Sequence, residues 1–259
     1  MKIAAKGIVT ILLFLLFFQP APQLFGLDER HPLAGTAMAA AAEPNDDEEQ
    51  DPFAAKSESV KDPLEGFNRA VFKFNDKLYF WFIKPVAQGY SFVFPAPLRK
   101  SIRNGFTNIL VPVRFTNCLL QGKVKGAGVE LARFTINSTI GVGGLFDVAG
   151  DSFKLTAYDE DLGQTLGAYG LGHGMYLVLP FFGPSSARDA FGMAGDSFLD
   201  PIYYMPIDWY VSASIKVGKQ LNNASLRLGE YEDFKQSAVD PYVSMRHAYI
   251  QYRSKEVAQ

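Results

Sequence analysis

A glycine-rich tract without ionised side chains constrains this chain more than any other feature. It runs from Leu162 to Ala187, and its 26 residues include no Asp, Glu, Lys or Arg. Six glycines fall between Gly163 and Gly183, and such a density of glycine disfavours a core helix. A surface loop normally needs polar side chains to remain hydrated. The tract therefore predicts a backbone that turns tightly inside protein or lipid.

Charge and composition exclude several functions. The 259 residues carry 25 basic and 27 acidic side chains, so the chain lacks the basic excess typical of proteins that bind nucleic acid. The single cysteine, Cys118, excludes an internal disulfide and a multi-cysteine metal site. No pair of histidines has metal-ligand spacing, and no cofactor is indicated. The 22 phenylalanines need a large core, a lipid-facing surface, or both.

The N-terminal residues have the composition of an export signal. Lys2 and Lys6 precede an apolar run from Ile8 to Phe18, which is shorter than the ~20 residues that a transmembrane helix needs. We therefore predict that residues 1–42 are an export signal that is cleaved. An uncleaved N-terminal anchor is the alternative.

An acidic segment separates this signal from the rest of the chain. Residues 43–61 contain six acids between Glu43 and Asp51 and few apolar side chains, so we predict a disordered linker. Residues 62–259 are predicted to form one mainly helical domain. No stretch of that domain is uniformly apolar for 18 residues, so hydropathy predicts no transmembrane helix there.

A capping pattern marks the first helix of the domain. Asp62 is predicted as the N-cap, Pro63 as the first helical residue and Glu65 as the reciprocal acid of a capping box. Six apolar residues at spacings of three and four then share one helix face: Leu64, Phe67, Val71, Phe74, Leu78 and Trp81. This face fits a packed helical core and also a membrane interface, and both alternatives stay open from the spacing.

Proline and serine or aspartate signals mark the later helices. The predicted helix starts are at or near Pro97, Pro112, Val124, Ser185 or Ser186, Asp208 and Asp240–Pro241. The one strong strand candidate is the apolar run from Met175 to Leu179, which an extended loop would fit equally well. The fold class predicted is all-α, a single domain of short amphipathic helices with a glycine-rich loop.

Catalytic patterns are weak throughout the chain. There is no G-x-S-x-G nucleophile elbow. His173, Ser185 and Asp189 could form a hydrolytic triad only if the fold brought them together, since triads are spatial. Gly170–Gly174 lacks the residues that complete a dinucleotide or phosphate loop. The residues therefore favour a protein that is not an enzyme.

Several motifs in the same order resemble the VacJ (MlaA) family. They are Asp62-Pro-Leu-Glu-Gly-Phe-Asn-Arg69, the sequence GVGGLFD at 141–147, the tract from 161 to 184 with Arg188-Asp189, and Asp240-Pro241-Tyr242. The resemblance covers nearly all of residues 62–253. It implies structural roles for Asp62, Pro63, Glu65, Phe67, Asn68, Arg69, Pro180, Gly183, Pro184, Arg188 and Asp189.

The resemblance implies a fold, a function and partners. Members form a ring-like helical domain that lies in the membrane interface on the periplasmic face of the outer membrane. They remove mislocalised phospholipids from the outer leaflet through a central amphipathic channel and pass them to a periplasmic phospholipid-carrier protein, which maintains lipid asymmetry. They associate with an outer-membrane trimeric porin and are not enzymes. By resemblance, the lipid channel or gate is expected at Gly163, Gln164, Gly167, Tyr169, Gly170, Gly172, Gly174 and Tyr176.

One feature departs from the family pattern. Members usually carry a lipobox cysteine at the end of the signal, whereas Cys118 lies deep in the domain sequence. We therefore expect the chain to be held at the membrane by its amphipathic helices or by its N-terminal apolar segment. The alternative function is a soluble periplasmic lipid-binding or adaptor protein.

Overall fold

Eleven α-helices, a π-helical segment, a short 3-10 helix at Pro201–Tyr204 and one small hairpin make up the part of the chain that the computed structural model describes, residues 62–259. The predicted export segment (1–42) and acidic linker (43–61) lie outside the described residues. The helices are α1 Glu65–Leu78, α2 Lys84–Val93, α3 Ala96–Ile109, α4 Val111–Leu120, α5 Val124–Thr139, α6 Val148–Asp151, α7 Leu162–Ala168, α8 Ala187–Asp196, α9 Trp209–Leu226, α10 Glu230–Ser237 and α11 Pro241–Ala258. The strands are β1 Tyr176–Leu179 and β2 Gly183–Ser186. The predicted all-α fold class is confirmed.

A π-helical segment joins α1 to α2 without a break. Tyr79–Ile83 forms this segment, and the backbone N–H of Lys84 bonds to the carbonyl of Tyr79, five residues earlier. Pro85 follows at once. Proline has no N–H and its ring clashes with the carbonyl four residues before it in an α-helix. The wider π turn is a usual way to relieve such a conflict, so the chain continues through Pro85 as one long rod.

The predicted capping role of Asp62 is wrong. The N-cap position is Leu64, and no side chain caps α1. The carboxylate of Asp62 instead accepts hydrogen bonds from Asn68 Nδ2 at 2.8 Å, Arg246 Nη1 at 3.2 Å and the Tyr242 hydroxyl. The Asp62 carboxylate therefore bonds to side chains of α11 and does not cap the start of α1, as the local sequence pattern had predicted.

The apolar run that was a strand candidate is the first strand of an antiparallel hairpin. Tyr176 lies opposite Ser186 and Leu179 lies opposite Gly183. Sequence reasoning missed the second strand, because Gly, Pro and Ser have low strand propensity. Ser186 ends this strand and caps α8 by accepting the Asp189 backbone N–H at 3.1 Å, as one of the two predicted caps.

Two asparagines on α1 attach the hairpin to that helix. Asn68 donates to the Tyr176 carbonyl at 3.0 Å and accepts the Val178 N–H at 2.8 Å. Asn75, two turns later, donates to the Leu179 carbonyl at 2.9 Å and accepts the Phe181 N–H at 2.8 Å. Each amide therefore imitates a neighbouring strand and satisfies backbone groups that would otherwise lie buried without partners.

Successive contacts close the helices into a ring. α2 packs on α9, α9 on α3, and α3 on α4 and α5. α4 packs on α7, and α7 contacts both α8 and α11. These two helices contact β2, while β1 returns to α1. The ring-like arrangement that the resemblance implied is thus confirmed.

The polarity of the ring is partly inverted relative to a typical soluble protein, with apolar side chains exposed and polar side chains buried. Large apolar side chains lie on its outside, with Trp81 79% and Phe92 93% exposed. Polar side chains such as Asn117, Glu130 and Arg253 are at most 1% exposed. Phe67 and Phe74, on the predicted apolar face of α1, are exposed, and Val71 is buried. None of the helices within residues 62–259 is both long and apolar enough to cross a bilayer.

Candidate functional site: a charged cavity at the centre of the ring

The helices surround a cavity of about 870 Å³. Faces of α3, α4, α7, α8, α9 and α11 line it, together with the 150–161 segment that precedes α7. This volume lies in the range of cavities that hold small organic ligands. Its wall differs from a typical ligand pocket, however, because about half of its lining residues are charged. The chemistry of the cavity therefore depends on how these charges are arranged and paired.

Two neighbouring helices supply a cationic wall. Helical spacings of three, four and seven residues place polar side chains on one face of each helix. On α3 these are Lys100, Arg103, Asn104 and Thr107, and on α9 they are Lys216, Lys219, Gln220 and Asn223, with Arg227 directly after the end of the helix. Because α3 and α9 pack against each other, the two faces form one surface.

The remaining wall carries most of the acidic side chains. Asp159, Glu160 and Asp161 precede α7, and Asp189 and Asp196 come from α8. The α7–α8 contact brings the two groups of acids together. The cavity is therefore polarised, with cations concentrated on α3 and α9 and carboxylates concentrated around α7 and α8.

Arg253 of α11 neutralises the centre of the acidic wall. Its guanidinium donates to both carboxylate oxygens of Asp161 at 2.8 and 2.9 Å and to those of Asp189 at 2.9 and 3.1 Å. The Tyr249 hydroxyl also donates to Asp189, at 2.6 Å. Burial by itself raises the pKa of Asp189, but the hydrogen bonds and charge of Arg253 outweigh it, so that the pKa lies well below its ordinary value.

The pKa of Asp196 is shifted in the opposite direction. Its carboxylate accepts the Leu162 backbone N–H at 3.0 Å and Asn117 Nδ2 at 2.9 Å. It has no ion pair with a residue in 62–259, and Asp161 lies close enough to repel it. Burial therefore raises the pKa of Asp196 to about 6.

Among the cations of the cavity wall, Lys219 has the fewest partners. Lys216, one turn earlier, pairs with Asp200 at 3.3 Å. Lys219 makes no hydrogen bond or ion pair with residues 62–259, and burial lowers the pKa of its amino group to about 8, although the Asp200 charge opposes this shift. A half-buried ammonium on a cavity wall loses part of its hydration without gaining a partner, which marks this position as one that an anion would stabilise.

The eight residues predicted as channel or gate lie in four places. Gln164 is on the cavity wall. Gly163 lies at the α7–α8 crossing, where an added Cβ would come within 2.6 Å of Asp189 Oδ1, and Gly167 packs against Arg188 and Val257. Tyr176 is in the core at 1% exposure. The exposed turn holds Tyr169, Gly170, Gly172 and Gly174. A gating role for the tract stays a prediction.

Sequence reasoning missed the charged lining of the cavity. It placed the lining in the uncharged tract, of which only Gln164 and Ser185 contact the cavity. The signal that could have found the wall was the polar spacing from Lys216 to Asn223 along one face of α9, since a helix face of that kind needs water or a polar partner.

A family comparison identifies this ring. The sequence model of the family described as MlaA lipoprotein matches residues 60–256 of this chain. The chain belongs to the MlaA lipoprotein family. Two relatives are named intermembrane phospholipid transport system lipoprotein MlaA. The protein from Haemophilus influenzae is 33% identical over 195 residues, which cover 73% of this chain and 76% of that protein. The protein from Escherichia coli K12 is 35% identical over 196 residues, with the same coverage.

A solved structure agrees with the MlaA assignment. It is described as the structural basis for maintenance of bacterial outer membrane lipid asymmetry. Its chain superimposes with a TM-score of 0.67 at 32% identity, covering 76% of this chain and 99% of that chain. An uncharacterized protein of Rickettsia bellii is also similar, at 36% identity over 203 residues, which cover 76% of this chain and 77% of that protein.

The first motif that suggested the MlaA family lies where α1 meets the start of α11. Arg69 joins Glu65 at 2.7 Å and Asp240 at 3.0 Å, so α1 is tied to the start of α11. Pro63 and Phe67 are exposed beside this junction.

The second motif builds the hairpin and the start of α8. Pro180 lies in the turn, Gly183 has a φ of +83°, and Pro184 pairs with Val178. Arg188 pairs with Asp189 at 2.9 Å, which links the hairpin side of the ring to the Arg253 network.

The structure also places the residues of the hydrolase hypothesis. His173 Nε2 lies 3.0 Å from the Ser254 hydroxyl. The Ser185 hydroxyl donates to the Ser186 carbonyl at 3.4 Å and is 1% exposed. Asp189 is engaged by Arg253 and Tyr249. The three residues are thus committed to separate contacts, and the MlaA relatives are named as transport lipoproteins.

Proposed function

We propose that this MlaA-family protein removes mislocalised phospholipids from the outer leaflet of the outer membrane. The lipid head group passes through the central cavity, and the lipid is handed to a periplasmic carrier protein, which maintains lipid asymmetry. The domain lies in the membrane interface on the periplasmic side, beside a trimeric porin. Family membership supports phospholipid as the substrate.

The observation that carries the proposal is the inverted polarity of the ring. An exterior with exposed Trp81 and Phe92 suits acyl chains, because large apolar patches on a soluble surface are unfavourable. A charged cavity of about 870 Å³ suits a lipid head group. An amphipathic lipid needs both environments at once. The same exterior favours membrane attachment over the alternative of a soluble periplasmic lipid-binding or adaptor protein.

A complementation experiment tests this function. A strain without the gene should accumulate phospholipid in the outer leaflet and become sensitive to detergent, and the wild-type gene should reverse both effects. Asn223→Trp places an indole in the cavity on α9, so this variant should fold but fail to complement. Gln88→Trp adds the same group at an exposed site on α2 and should complement fully.

Two results would count against the proposal. Full complementation by Asn223→Trp at normal protein levels would remove the cavity from the lipid path. Recovery of the wild-type protein entirely in the periplasmic supernatant would instead support the soluble alternative.

A further inference from the structure

The cavity wall contains a half-buried cation that its own protein does not neutralise. Lys219 lies on the cationic wall and makes no hydrogen bond or ion pair with residues 62–259. Its neighbour Lys216 already holds Asp200 at 3.3 Å. A lysine ammonium has three donors and is stabilised by oxyanions. The position is therefore suited to a phosphate oxygen from a ligand.

The acidic side of the cavity also contains a weakly engaged carboxylate. Asp159 lies on the acidic side, where its nearest cation is Arg114 at 3.9 Å from Nε to Oδ1. The side chain of Asp159 is 62% exposed, whereas Asp161 and Asp189 are held by Arg253. Asp159 also stabilises the charge on Lys219, which places both groups in one electrostatic environment.

We infer that the cavity selects zwitterionic glycerophospholipids with a primary amine, that is, a phosphoethanolamine head group. Lys219 receives the phosphodiester oxygen, and Asp159 accepts hydrogen bonds from the ammonium of the same head group. The inference rests on the proposed function and adds to it the class of lipid. A quaternary ammonium cannot donate a hydrogen bond to Asp159, and a glycerol head group carries no cation, so both should bind less tightly.

Binding of short-chain lipids to the purified full chain tests this selectivity. The probes are dihexanoyl phosphatidylethanolamine, phosphatidylcholine and phosphatidylglycerol, with sodium phosphate as the simple anion, measured by calorimetry. The ethanolamine lipid should bind tightest, and Lys219→Gln should weaken all three lipids by about tenfold, as expected for a lost charge-assisted bond. Lys219→Arg should retain most of the affinity. Asp159→Asn should weaken only the ethanolamine lipid and so abolish its advantage over the glycerol lipid.

Two variants outside the cavity serve as matched controls. Lys125→Gln and Asp233→Asn neutralise exposed residues outside the cavity lining and should leave every affinity unchanged. Equal wild-type affinity for the three lipids, unaltered binding in Lys219→Gln, or phosphate binding as tight as lipid binding would each overturn the inference while leaving lipid transport possible. Failure of every lipid to bind would overturn the proposed function as well.

Discussion

Single residues in this protein matter most where charge is buried. Arg253 is 1% exposed and holds two carboxylates, Asp161 and Asp189. Removing one partner of a buried ionic cluster leaves the others without compensation, which costs more than the cluster contributes relative to an apolar core. The Arg253 cluster also joins α7, α8 and α11, so its loss should loosen one side of the ring.

The first prediction concerns this cluster. Arg253→Met should lower the free energy of unfolding by about 3–5 kcal/mol, because Asp161 and the buried Asp189 lose this guanidinium and only Arg188 remains beside Asp189. Urea denaturation followed by circular dichroism measures the change. Glu65→Ala breaks the half-exposed Arg69–Glu65 pair and should cost less than about 1 kcal/mol. Equal costs for the two variants would contradict a special role for the buried cluster.

The second prediction concerns the pH dependence of stability. The folded pKa of Asp196, about 6, lies above its ordinary value of 3.8. The folded state therefore binds this proton more tightly than the unfolded chain, and this carboxyl makes stability fall as pH rises from 3.8 to 6. Asp196→Asn removes the titration, so its stability relative to wild type should increase across that interval. Urea midpoints on both sides of pH 6 measure it, and a constant difference would contradict it.

At the scale of elements, helix packing depends on close backbone approach. α7 and α8 cross at Gly163 and Gly192, where a Cβ added at Gly192 would lie 2.4 Å from the Gly163 backbone nitrogen. A contact this short requires the backbone to move, and a tightly packed crossing resists that movement. The glycines of this crossing therefore act through packing, while the Gly170 turn acts through its φ of +88°.

The third prediction tests the crossing. Gly192→Ala should destabilise the domain by about 1–3 kcal/mol, the usual cost of overpacking. Gly218→Ala is a matched control in α9, where a Cβ would meet nothing within 4 Å, and should stabilise by up to about 1 kcal/mol through helix propensity. Thermal unfolding of both variants gives the comparison. Destabilisation by the control alone would show that the crossing is not tightly packed.

The sequence predicts those elements whose signals are local. Asp240 caps α11 by accepting the backbone N–H groups of Tyr242 and Val243, and Ser186 caps α8, because both caps need only residues within one turn. Asp62 was misassigned because its partners, Tyr242 and Arg246, are about 180 residues away in sequence. The cavity wall escaped prediction for the same reason, since its charges come from elements that meet only in the closed ring.

At the scale of the whole molecule, the ring places apolar groups outside and charge inside. Phe92 is 93% exposed on α2, and Trp81 is 79% exposed on the π segment before it. Side chains of this kind bind a bilayer interface when a helix lies flat on it. Of the apolar face of α1 and its continuation, Phe67, Phe74 and Trp81 are exposed whereas Val71 is buried, so the face serves partly the exterior and partly the core.

The fourth prediction tests membrane attachment. Phe92→Glu places a charge on the outer face without removing a core contact, so it should reduce recovery with phospholipid vesicles in flotation while the circular dichroism spectrum stays unchanged. Gln88→Glu adds the same charge to an exposed polar position on α2 and should float like wild type. Undiminished flotation of Phe92→Glu would indicate that this face does not contact lipid.

Photo-crosslinking tests the central claim, that a phospholipid enters the ring, most directly. A benzophenone amino acid is placed at Gln220 on the cavity face of α9 or at Phe92 on the exterior. Mass spectrometry then identifies adducts formed in native membranes. The account predicts phospholipid adducts at both positions, since lipid contacts the outer face and also occupies the cavity. Adducts at Phe92 with none at Gln220 would show a protein that rests on lipid without admitting it, and would contradict the account.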